Sequence, residues 1–210
     1  MYVVRSALVL LACGFLGCVK IDSFDKPHAT ETFIGGLEVD SSIEELSAGA
    51  RTGFVLVITT DGTGKKAYIS GIPPENPFYL VPTELWKELR EDGLLKNVGK
   101  FDLAPNVSGL ECEVVGKKTL KVTGFQVMSK LAKEMGLEVS GELIREGPQV
   151  ATVEEIIISA NVGKLKALLP TILLNELFHT EENQAISKLP DDMQVNLFRF
   201  HFRGDVSSPF

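Results

Sequence analysis

Gly53-Phe54-Val55-Leu56-Val57-Ile58-Thr59-Thr60, then Asp61-Gly62-Thr63-Gly64, then Lys65-Lys66-Ala67-Tyr68-Ile69-Ser70-Gly71-Ile72, is the stretch on which the fold turns. It runs from β-branched and apolar residues through turn residues into a second run that alternates. β-branched and aromatic side chains fit a pleated, half-buried surface, and Asp and Gly supply turn conformations. The pattern predicts a hairpin of strands Gly53–Thr60 and Lys66–Ile72. A second hairpin is expected further on, with Leu110–Val115 turning at Gly116-Lys117 and returning through Thr119–Phe125.

Each hairpin is followed by a helical pattern. Thr83 caps one that carries Leu85, Trp86 and Leu89 to Asp92, where Gly93 ends it. The other has Val127, Leu131 and Met135 on one face and ends at Gly136. The parallel extends to Gly64-Lys65-Lys66 with Gly116-Lys117-Lys118, and to Gly93-Leu94 with Gly136-Leu137. A duplicated hairpin–helix unit would explain it; so would the frequency of Gly-Lys turns. Between the two units, Pro73–Pro82 carries four prolines around Phe78, Tyr79 and Leu80, and reads as an extended loop.

Later in the chain, Val153–Ser159 suits a strand, although Thr152-Val153-Glu154-Glu155 also fits a capping box. Lys164–Phe178 is apolar and contains Pro170, which predicts one kinked helix or two short ones. A further short helix is expected between Thr180 and Pro190. Val195–Arg203 puts Phe198, Phe200 and Phe202 on one face and Arg199, His201 and Arg203 on the other, a half-buried strand. The alternating phenylalanines and terminal Phe210 are also features of outer-membrane barrel strands, but strands this few, interrupted by this many helices, argue against a barrel. Mixed strands and helices give the expected fold class: α+β, an antiparallel sheet of hairpins with several packed helices, as one domain over residues 32–210.

The chain has 210 residues, 44 % of them apolar, enough for a sizeable core without disulfides. Its 21 basic and 28 acidic residues give a net charge of −7. No basic residues cluster along the sequence, which argues against a nucleic-acid partner and against an anionic membrane surface.

Met1–Arg5 bears one positive charge, and Ser6–Val19 is uncharged and mostly apolar. The run of about 14 residues is short of the roughly 20 that span a bilayer, and a charged start, apolar run and small residues predict a signal peptide over residues 1–17. Phe15-Leu16-Gly17-Cys18 resembles the lipobox of bacterial lipoproteins, which prefers Leu where Phe15 stands. The resemblance implies that Cys18 becomes the first residue and carries diacylglycerol. Leu10-Leu11-Ala12-Cys13 is a closer local match, preceded by an apolar run of only about seven residues; a cut near Ala12-Cys13-Gly14 without lipid is the further alternative. Residues 18–31 then read as a polar tether. With Cys18 lipidated, Cys112 has no internal disulfide partner, and its alternation with Leu110 and Val114 makes it a small buried hydrophobe.

No constellation defines a catalytic, metal or cofactor site. Gly62-Thr63-Gly64-Lys65 lacks the spacing of a phosphate loop and leads into a strand. His28, His179 and His201 stand in no metal-ligand spacing, even with Glu181 and Glu182 beside His179. Asp191-Asp192 are adjacent and point apart. The expectation is an exported, lipid-anchored cell-envelope protein that binds a protein partner without catalysis, using Phe78, Tyr79 and Trp86 as exposed anchors. Two alternatives stand beside it: an exported hydrolase with a dispersed Asp/Glu pair, and a subunit of a larger envelope assembly that covers Lys164–Phe178.

Overall fold

The computed structural model describes residues 23–41, 50–71, 83–93, 105–178 and 185–206. Eight strands form one closed antiparallel barrel in simple sequential order: β1 (Thr30–Ser41), β2 (Ala50–Thr60), β3 (Lys66–Ser70), β4 (Val107–Val115), β5 (Thr119–Met128), β6 (Glu138–Arg145), β7 (Val150–Asn161) and β8 (Gln194–Val206). β8 returns to β1 from Phe33↔Val206 to Ser41↔Phe198. The seam is tight where Gly35 faces Gly204: a Cβ on Gly35 would sit 1.9 Å from the Arg203 carbonyl oxygen.

This corrects the α+β expectation. Among the described residues strand makes up 56 % and helix 19 %, so the described structure is mostly β. The helices are short: α1 (Thr83–Glu91), α2 (Lys130–Glu134), α3 (Val162–Leu168), α4 (Thr171–Leu177) and a 3-10 turn at Ile186–Lys188. The apparent duplication is two consecutive hairpins of one meander, joined by the β3–β4 ladder. Val127, expected on a helix, belongs to β5 and is exposed. The argument against a barrel fails because β1 and β6 supply strands that the sequence pattern did not announce. The break at Pro170 does give two short helices, α3 and α4.

Alternation sets inside against outside. Phe33, Leu56, Ile58, Ile69, Leu110, Leu120, Leu143, Val153, Ile156, Phe200 and Phe202 are buried in one continuous cluster. Outward positions carry Asp40, Glu113, Lys121, Glu142 and Arg203. A membrane-spanning barrel has an apolar outer band and a polar lumen; here the sense is reversed. No helix among the described residues is long and apolar enough to cross a membrane.

The two ends differ. Three turns, at residues 61–65, 116–118 and 146–149, lie at one end, called here the closed end. The connections 42–49, 71–106, 129–137 and 162–193 leave from the other, the mouth. There α3, α4 and the 3-10 turn bury Leu165, Leu168, Leu174, Phe178 and Ile186 against the barrel core.

Candidate functional site

The chain preceding β1 is part of the fold. Ser23–Ala29, expected as tether, forms a strap across the closed end. The Phe24 N–H donates to the Lys117 carbonyl at 2.7 Å, and the His28 N–H to the Asp61 carbonyl at 3.0 Å. The Ala29 N–H donates to Thr60 Oγ1 at 2.9 Å. Phe24 itself is 1 % exposed.

Beneath the strap lies a buried ion pair. Arg145, at the end of β6, is 1 % exposed, and its Nη2 binds Glu31 Oε2 from β1. Its Nη1 donates to the Pro148 carbonyl at 3.2 Å. The guanidinium carbon lies 4.6 Å from the Phe24 ring centroid and 5.5 Å from that of Phe33. Planar guanidinium groups stack well on aromatic faces, so Arg145 closes the barrel while satisfying its charge. Burial pushes the Glu31 carboxyl above its ordinary range, against the opposing pull of Arg145 and Lys26. The turn beside it is fixed by Asp61. Burial raises that carboxyl, but hydrogen bonds from Thr63, Lys65 and Lys66 together outweigh it and hold the group below its ordinary range.

A groove of about 420 Å³ runs over the outer wall where β7, β8 and β1 adjoin. Gly36 leaves it open, and Glu38, Thr152, Glu154, His201 and Arg203 line it. These groups are engaged with the protein itself. His201 Nδ1 binds the Glu154 carbonyl, and its Nε2 is 3.9 Å from Asp40 Oδ2. Arg203 and Thr152 both reach Glu146, at 2.9 Å each. The groove does not pair a nucleophile with a base.

The wall itself is unevenly laced. β5 and β6 pair only at Thr119↔Ile144, Leu120↔Leu143 and Lys121↔Glu142, all next to the closed end. Toward the mouth that ladder stops; in the next ladder β7 bulges, with Glu154 as the extra residue opposite the Glu142–Leu143 step, and Gly141 has φ +143°.

Of the residues singled out in the sequence, Cys18, Phe78 and Tyr79 lie outside the described residues. Trp86 lies on α1, whose Leu89 joins the core. Cys112 is buried, which with the nearby Glu111 charge pushes its thiol up to about 12, so it is protonated and unreactive at neutral pH. Phe198, Phe200 and Phe202 are interior, while His201 and Arg203 line the outer groove. No cluster of metal-ligating side chains occurs among the described residues. Sequence reasoning missed Arg145 and Glu31, 114 residues apart, whose pairing has no local signal.

Chemically, these features define an eight-stranded antiparallel barrel with a packed apolar interior, a sealed end and elaborated connections at the other end. No protein-family profile, curated protein or solved structure matches this chain.

Proposed function

We propose that this protein is an exported, lipid-anchored envelope protein that presents its mouth to a protein partner and performs no catalysis. The observation that carries the reading is the polarity of the barrel. The chain following the lipobox-like Phe15-Leu16-Gly17-Cys18 is built into the closed end from Ser23 onward, and every long connection leaves from the opposite end. Binding residues concentrate on loops held by a rigid scaffold, and a barrel hung by one end offers the loops of the other. The connection between β3 and β4 contains Phe78, Tyr79 and Trp86, the aromatic anchors expected for a partner.

The hydrolase alternative gains no support from the described residues. The two carboxylates displaced from their ordinary range are Glu31, tied to Arg145, and Asp61, tied into a turn. Neither lines the groove.

The intact mass of protein extracted from membranes tests the address. A chain starting at Cys18 with added acyl groups is the expected result; an unlipidated or uncut chain overturns it. For the partner, Phe78→Ala with Tyr79→Ala should abolish site-specific cross-linking at the mouth and leave the melting temperature unchanged. A large fall in melting temperature would return both rings to the core.

A further inference from the structure

Sequence reading found no basic cluster, yet the fold assembles one. Lys65-Lys66 and Lys117-Lys118 stand at the turns of two hairpins about fifty residues apart in the chain. The β3–β4 ladder brings these hairpins side by side: Lys66 pairs with Glu113, and the Val114 N–H donates to the Lys65 carbonyl at 2.9 Å. The strap runs from one turn to the other, touching Lys117 through Phe24 and Asp61 through His28, and it brings Lys26 into the same sector. All four turn lysines are exposed, and none has a carboxylate within 4.0 Å among the described residues. Val115, next to Gly116 at the tip, is an apolar side chain 49 % exposed.

The carboxylates of this sector are Asp25, Glu31, Asp61 and Glu113; Glu31 is bound to Arg145 and feels the charge of Lys26. Asp25 accepts from Ser23 Oγ, and Asp61 is occupied by its turn. Five lysines and Arg145 thus face four carboxylates, three of them engaged. Setting aside Arg5 as well, the rest of the chain carries 14 basic and 24 acidic residues. A local positive face on so acidic a chain selects for a negative partner.

We infer that this closed-end face, Lys26, Lys65, Lys66, Lys117 and Lys118 around the strap, docks on anionic phospholipid headgroups. The inference rests on the lipid-anchored reading for its geometry. From Cys18 to Ser23 the chain can span at most about 18 Å. A diacylglycerol on Cys18 therefore holds the closed end, to which this sector belongs, within that reach of the bilayer, where the field of anionic lipids is felt within about 8 Å of the surface. The diacylglycerol supplies the anchor, and a basic face adds a preference for anionic lipids. Each lysine brought to an anionic surface strengthens binding about fivefold, and Val115 adds an apolar contact at the same tip.

The test is flotation of the full chain with two vesicle types, phosphatidylcholine alone and phosphatidylcholine with equimolar phosphatidylglycerol. The quantity read is the ratio of binding to the two. Membrane-extracted protein and its Cys18→Ser form are compared, and intact mass reports acylation separately. The expected ratio is about tenfold or more in favour of the anionic vesicles for both forms, collapsing as salt is raised. It should fall to near unity in Lys65→Gln/Lys66→Gln/Lys117→Gln/Lys118→Gln. It should persist in a control with the same charge change at the mouth, Lys130→Gln/Lys133→Gln/Lys164→Gln/Lys188→Gln. Equal binding to both vesicles by unsubstituted protein overturns the docking face even when Cys18 is acylated. Equal losses in the two quadruple variants also overturn it, since they reduce the effect to net charge. A preserved preference in a chain without acyl groups keeps the face and removes the anchor.

Discussion

At the closed end, turns of five, three and four residues join the strands, and a strap, a buried ion pair and two aromatic rings fill what remains. At the mouth, connections of 8, 36, 9 and 32 residues carry every helix, and the β5–β6 ladder has ended. Described residues at both ends pack on the same apolar interior. The closed end does so with an ion pair, hydrogen bonds and aromatic rings at fixed positions; the mouth does so with aliphatic side chains on short helices, such as Leu165, Leu168 and Leu174. A site closed by charge and hydrogen bonding tolerates little change, because each partner left behind is a buried, unsatisfied group. One closed by aliphatic packing can be rebuilt as long as volume and patterning are kept. On this account the closed end is scaffold and attachment, and the mouth is where the sequence is free to vary.

The largest expected effect falls on Arg145. Arg145→Ala removes the guanidinium from between Phe24 and Phe33 and leaves Glu31 buried without it. The expected loss is about 4 kcal/mol, measured by denaturant unfolding. Glu31→Leu with Arg145→Met should recover most of it, because a buried pair replaced by apolar groups of similar volume is nearly neutral. If Arg145→Ala costs no more than an average substitution, the contrast between the ends fails.

Next comes Phe24→Ala, which empties the ring position under the strap and should cost about 3 kcal/mol. It also tests whether the strap belongs to the cooperative unit. Amide exchange at Ala29 and at Phe24 itself should accelerate in this variant, while exchange in β7 and β8 keeps its order relative to the other strands. Loss of protection confined to the strap, with no change in global stability, would make Ser23–Ala29 an appendage and return it to the role of tether.

How much of this was readable follows from where each signal lies. The β2–β3 and β4–β5 hairpins have their turn residues between their own strands, so local pattern suffices. β8 shows its two faces plainly, with Phe198, Phe200 and Phe202 inside. β1 carries Phe33, Leu37 and Val39 at alternate interior positions, but Gly35-Gly36 interrupts the run and Ile34 points outward at 52 % exposure. Gly35 answers to β8, about 170 residues away, and no window of sequence contains both. β6 is similar: Ser140-Gly141 between Glu138 and Glu142 looks like a turn, and the strand exists because β7 pairs along its whole length. With β1 and β6 missing, the remaining strands cannot close, and helices appear to dominate. The lysine face was hidden for the same reason, being built from two hairpins whose adjacency is a property of the barrel. Phe78 and Tyr79, proposed as partner anchors, lie outside the described residues and rest on composition alone.

The smallest expected effect sharpens the comparison by pH. Asp61 accepts from the N–H groups of Thr63, Lys65 and Lys66 and from the Thr63 hydroxyl. Its folded-state range lies below the ordinary value of 3.8. A carboxyl depressed by folding stabilises the native state fully above its unfolded value, and that contribution is lost as pH falls through the folded one. Asp61→Asn should therefore lower stability modestly at neutral pH and flatten the acid side of the stability profile below about pH 4. Glu31 has the opposite sign: its raised range means that its own contribution declines as pH climbs from 4.5 through that range. The two carboxylates of one barrel end thus pull the profile in opposite directions. Removing Asp61 alone should expose the Glu31 limb as a shallow decline with rising pH, and a profile that keeps its full acid limb after Asp61→Asn would assign that limb to other carboxylates and dissociate the turn from the stability of the closed end.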